Sequence, residues 1–124
     1  MDIEELMLGN YIGCRGFSVP YGVIECLDGH NRSAVVCLAN GERVEIIEED
    51  LRGLPLTEEF FSAAGFSNVM GYQYDGEVSY VNGNIFYTPT DKILHIGERL
   101  FVCESVHKLQ IAFKITKKQL KINL

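Results

Sequence analysis

Three histidines and four cysteines are the side chains of this chain best suited to acid–base, nucleophilic or metal chemistry. His30 lies close to Asp28, a pairing that becomes a general acid–base couple only where a substrate pocket surrounds it. The Asp28-Gly29-His30-Asn31-Arg32 run is more simply a polar turn. His107 and Gln110 fall near one face of a predicted helix, and Glu104 adds a carboxylate there. Together they suit recognition of a polar ligand, but one histidine supplies neither a metal-ligand set nor an oriented nucleophile. Cys14, Cys26, Cys37 and Cys103 have no CxxC spacing and no neighbouring histidines, so reduced and mostly buried thiols are expected. The acidic run from Glu45 to Asp50 reads as the solvated end of a strand. No P-loop, dinucleotide-binding glycine pattern, HExxH sequence or serine elbow is present. These readings assign no catalytic residue, no cofactor and no metal ligand; they leave His107, Lys108 and Gln110 as the possible partner surface.

The elements that would position these residues follow from turn chemistry and periodicity. After a Gly9-Asn10 bend, Gly13 to Pro20 reads as an irregular connection and Tyr21 to Leu27 as a strand. Asn40-Gly41 predicts a two-residue hairpin turn with Cys37 opposite Val44 and Val35 opposite Ile46, so that these four share a buried face. Several short strands before Asp50 suggest an SH3-like barrel, with Leu51, Leu54 and Leu56 crossing its opening. Thr57 is placed to cap a short helix over 58–64, with Leu56 and Phe61 as a hydrophobic staple and Gly65 as its stop. Asn82-Gly83 predicts a second hairpin with Tyr80 against Ile85 and Val78 against Tyr87. Two strands around Gly97-Glu98 follow, then a helix over about 104–115 with Val106, Leu109 and Phe113 as its apolar stripe, Ala112 beside it, and a Glu104–Lys108 pair. Residues 120–124 are a candidate terminal strand. The expected fold class is α+β: a small SH3-like barrel over 1–54, then a short helix, a β-hairpin and a C-terminal helix in a subregion over 55–124 packed against it.

Composition narrows the function classes. The chain has 124 residues, enough for one compact unit or two small interdependent ones, and a hydrophobic fraction of 47% spread along its length. A net charge of −6 gives the long-range field the wrong sign for broad nucleic-acid binding. The one basic concentration, Lys114, Lys117, Lys118 and Lys121, lacks interleaved aromatics for base stacking and reads as a solvated face. No apolar run is long enough to cross a bilayer, and the opening Met1-Asp2-Ile3-Glu4-Glu5 is no secretion signal, so a cytoplasmic, membrane-free protein is expected.

Four segments carry a family resemblance: Leu8 to Ile12, Leu54-Pro55-Leu56-Thr57-Glu58-Glu59-Phe60-Phe61, Ala64-Gly65-Phe66, and Val106-His107-Lys108-Leu109-Gln110. In this order they resemble a group of small uncharacterised proteins of Bacteroides-like gut bacteria and their mobile elements. That resemblance implies a β-rich N-terminal region, a helix entered through proline-leucine-threonine-acidic residues and a histidine-leucine-glutamine helix near the C-terminus; it implies no activity. The chain departs from the group's pattern at Lys108, where glutamine is common, and over Ile115 to Leu120, where an acidic threonine-glycine ending is usual. The function expected is a noncatalytic binding or accessory module for a protein or small-ligand partner. A small hydrolase using dispersed groups such as His107 and Glu104, and a purely structural protein, are the alternatives.

Overall fold

The computed structural model describes residues 2–17, 19 and 21–123. Ser18 and Pro20 of the expected irregular connection, and Leu124 of the expected terminal strand, lie outside the described residues. The chain divides into two compact units, Met1–Leu54 with Ser105–His107 and Pro55–Glu104 with Lys108–Leu124.

The first unit is a five-stranded antiparallel sheet of β1 (Tyr11–Cys14), β2 (Gly22–Asp28), β3 (Ser33–Leu38), β4 (Arg43–Ile47) and β5 (Leu51–Arg52), in the order β4-β3-β2-β1-β5. Gly13 and Cys14 therefore belong to a strand and not to the expected connection. Ile12, Ile24, Val36, Leu38, Ile46 and Leu51 build its core with Ile3 and Leu6 from the opening segment. That segment is tied down by polar bonds: Ile3 N donates to Glu48 Oε2 (2.8 Å), and Arg32 donates to both Glu48 and Asp2 (3.0 Å to Asp2).

The SH3-like barrel is not formed. A three-residue 3-10 turn, Glu48–Asp50, carries the chain from one edge of the sheet to the other, but β4 pairs only with β3 and β5 only with β1. A barrel requires its terminal strands to hydrogen-bond. Here β5 has only two residues, and among the described residues no strand pairs with the outer edge of β4 or β5.

The first hairpin also differs from expectation. Leu38 N donates to Glu42 O (2.7 Å) and Gly41 N to Leu38 O (2.8 Å), with Gly41 at φ +89. This is a three-residue loop, a turn followed by a left-handed glycine, not a two-residue turn. The extra residue shifts the pairing to Cys37↔Arg43, Val36↔Val44, Val35↔Glu45 and Ala34↔Ile46. Because side chains alternate faces, a slip of one exchanges the two faces. The buried set is Ala34, Val36, Leu38 and Ile46, and Cys37 and Val44 fall on opposite faces.

The second unit is a second five-stranded antiparallel sheet, formed from β6 (Ser67–Met70), β7 (Val78–Asn82), β8 (Ile85–Thr88), β9 (Ile93–Ile96) and β10 (Arg99–Val102) as a simple meander. It also holds α1 (Glu58–Ala63) and most of α2 (Val106–Ile115), whose first two residues group with the first unit. With ten strands and two short α-helices among the described residues, the chain is β-rich and not α+β. β6 accounts for much of the difference. Its Ser-Asn-Val-Met sequence has weak strand propensity, and its pairing with β7 defines it as an edge strand. Residues 120–123 form no strand.

The helices follow local rules. Thr57 Oγ1 accepts from Phe60 N (3.1 Å), and the stop lies at Gly65, where Phe66 N reaches back to Phe61 O (2.8 Å). Phe61 is fully buried, stacked on Tyr80 and Tyr87 at 4.3 and 5.1 Å and edge-on to Phe66 at 5.3 Å. The second hairpin turns at Gly83-Asn84, pairing Tyr80 with Tyr87 and Asn82 with Ile85. This slip of two residues keeps Tyr80, Ile85 and Tyr87 on one face, as expected, but changes their partners. In α2, Val106, Leu109, Ala112 and Phe113 are all buried. No helix among the described residues is long and apolar enough to cross a membrane.

Candidate partner-binding site

His107 is buried, 3% exposed, with Nδ1 3.0 Å from Ser105 Oγ. Gly53 makes room for this pair, since a Cβ there would stand 3.1 Å from Ser105 Cβ. A serine and histidine at this distance resemble a nucleophile and its base, but neither is open to a substrate. Lys108 is exposed and Gln110 half-buried, so the three predicted surface residues do not share one accessible surface. Glu104 precedes α2, and no ion pair joins it to Lys108 among the described residues.

The Asp28–His30 pair is a turn. Asp28 Oδ1 accepts from His30 N (3.1 Å) and Asn31 N (3.0 Å), and Oδ2 accepts from the Asn31 amide (2.8 Å). The bonds from Asn31, followed by those from His30, hold the Asp28 carboxyl below its usual value, which weakens it as a general base. All four cysteines are free: Cys103 is buried, Cys14 and Cys37 are half-buried and Cys26 is exposed. Burial pushes the Cys103 thiol up to about 11, and raises that of Cys14, away from the reactive thiolate. No group of His, Cys, Asp and Glu among the described residues is arranged to hold a metal ion.

The second sheet carries the more informative surface. Its register sets Val81, Phe86, His95 and Leu100 in one cross-strand row, with Ile93 and Val102 in a parallel row on the same face. This is the face opposite Tyr80, Tyr87 and Leu94, which carry the stacked core around Phe61. The His95 ring stacks on Phe86 at 4.1 Å and 10°, and Tyr72 meets Phe86 edge-on at 5.1 Å. Leu100 and Val102 remain 61% and 66% exposed on the edge strand β10.

Tyr72 is delivered by the loop between β6 and β7. Gly71 N donates to Glu77 O (2.8 Å), closing the loop, and Tyr74 Oη donates to Asp91 Oδ2 (3.3 Å). Asp91 also accepts from Thr88 Oγ1 and Ile93 N. These bonds anchor the loop beside the sheet face.

Neither a known family model nor a curated protein matches the chain. The site's chemistry therefore rests on its own geometry. Ser67 and Thr88 also fall in these rows, with Ser79 beside them, and Ser79 and Thr88 are buried; the exposed apolar part of the face is Leu100 and Val102, and neither row holds a carboxylate or ammonium. Sequence reasoning did not find this surface. The signal is the pairing of Leu100 with His95 and of His95 with Phe86, none of which is among the predicted His107, Lys108 and Gln110. β10 and β8 carry apolar residues on both faces, with Arg99 and Thr88 as their polar members, so alternation alone does not identify their solvent side.

Proposed function

We propose that this protein is a noncatalytic binding module whose outer second-sheet face docks a protein partner. The observation that carries the reading is the exposure of Leu100 and Val102 beside the stacked Phe86–His95 pair. Exposed apolar area gains most when a partner removes it from water, and aromatic residues anchor such contacts with little side-chain entropy to lose. A protein fits better than nucleic acid because the chain is acidic and neither row contains a lysine or arginine to meet phosphates.

The test replaces Leu100 with a photo-crosslinking amino acid and compares it with the same label at exposed Lys108. A discrete protein adduct from position 100, absent from position 108 and abolished by Val102→Lys, is expected. Identical adduct patterns from the two positions, or an adduct at position 100 unaffected by Val102→Lys, would reject the outer face as the docking site.

A further inference from the structure

We propose that a second site, independent of the docking face, binds a small phosphate-bearing molecule in the cleft lined by Arg99, Lys117 and Lys118. The cleft has a volume of about 280 Å³ and its lining includes Asn84, Arg99, Ile115, Thr116, Lys117 and Lys118. Among the described residues no carboxylate lines it, although acidic residues outnumber basic ones, 17 to 11, in the chain. Arg32 and Arg43 each pair with glutamates, whereas Arg99, Lys117 and Lys118 form no ion pair among the described residues. A multiply charged oxyanion is complementary to a cleft lined by three cationic residues in a way that a neutral ligand is not.

The backbone fixes two of these cations at the end of α2. Lys118 N donates to Phe113 O (2.8 Å) and Lys117 N to Lys114 O (3.0 Å), the paired bonds of a helix-ending turn. The left-handed position of that turn, which favours glycine, is occupied by Lys117 at φ +57. Arg32 and Lys92 adopt the same left-handed conformation, so at Lys117 it fixes where the side chain leaves the backbone and leaves room for a glycine substitution there. Thr116 N and Oγ1 both bond to Ala112 O, so with the bonds from Lys118 N and Lys117 N the carbonyls of Ala112, Phe113 and Lys114 are each met by a donor.

Arg99 enters from β10. Its guanidinium lies 5.2 Å from the Phe101 ring centroid, a stacking arrangement that leaves the in-plane N–H groups able to donate. An arginine fork and two ammonium groups suit a dianionic phosphate better than a monoanionic carboxylate. Asn84 adds an amide donor, and Ile115, 52% exposed, offers an apolar wall to the organic part of a phosphomonoester.

Phenyl phosphate and inorganic phosphate are the probes, with benzoate as the monoanion control, titrated into the full chain at constant ionic strength and followed by amide chemical shifts. Saturable shifts at Asn84, Gly97 and residues 116–118 are expected for both phosphates, with benzoate about tenfold weaker or more. Lys117→Gly removes a cation while easing the backbone, so its thermal midpoint should hold or rise as phosphate affinity falls about tenfold. Arg99→Gln should weaken binding similarly, with partial recovery in Arg99→Lys; Lys108→Gln should change nothing. Non-saturating shifts, equal shifts with benzoate, or unchanged affinity in a folded Lys117→Gly protein would overturn the site. A crosslink at position 100 that survives Lys117→Gly would keep the docking face separate from this result.

Discussion

Thr57 and Glu48 show how individual side chains secure the chain's ends and turns. Thr57 Oγ1 accepts the Phe60 N–H that the first turn of α1 leaves without a backbone acceptor. Thr57→Ala is therefore expected to cost about 1 kcal/mol in urea unfolding, and equal midpoints and slopes for the two proteins would remove the cap's energetic role. Glu48 is bonded by Arg32 and by Ile3 N, and these bonds lower its carboxyl pKa from the ordinary 4.5, the Arg32 bond most strongly. A carboxyl depressed in the folded state contributes stability that is fully present above the unfolded value. That contribution is lost as pH falls through the folded one. The stability advantage over Glu48→Gln should consequently be constant near neutrality and shrink below about pH 4.5, as read by denaturant titrations across the acid range. A pH-independent difference would show that the carboxylate's charge contributes nothing.

At the scale of elements, α2 separates packing from exposure within adjacent residues. Leu109 is fully buried and Lys108 exposed. Truncating Leu109 to alanine is expected to cost about 2 to 5 kcal/mol by leaving a cavity, and Lys108→Ala less than about 0.5 kcal/mol. Comparable denaturation curves for the two variants would dissociate this helix from the core. The helical stripe was legible because Val106, Leu109 and Phe113 recur at helical spacing, and the α1 cap because Thr57 and two glutamates carry their signals locally. Strand pairing was less legible. Asn40-Gly41 located a turn, but the loop takes in Ala39 as well, and one residue was enough to exchange the buried and open faces of β3. β6 was missed because serine and asparagine, half of its residues, become strand through pairing with β7.

For the whole molecule, the exposed Leu100 and Val102 should behave as surface and not core: Leu100→Lys with Val102→Lys is expected to shift unfolding stability by less than about 0.5 kcal/mol per site. A loss of several kcal/mol in urea titrations would mean that these side chains support the fold, removing the basis for a docking face. Sequence by itself located the hairpin turns without their type or register, and determined the α1 cap, the helical stripe and the acidic balance, because each depends on residues near one another in the chain or on composition alone. It did not determine which strands meet, how the first sheet ends, or which side of the second sheet stays open. Those depend on hydrogen bonds between distant segments, where a one-residue change in loop length alters every facing pair. The Phe86–His95–Leu100 row and the Arg99–Lys117–Lys118 cleft join residues with no local signal in common, and only tertiary structure brings them together.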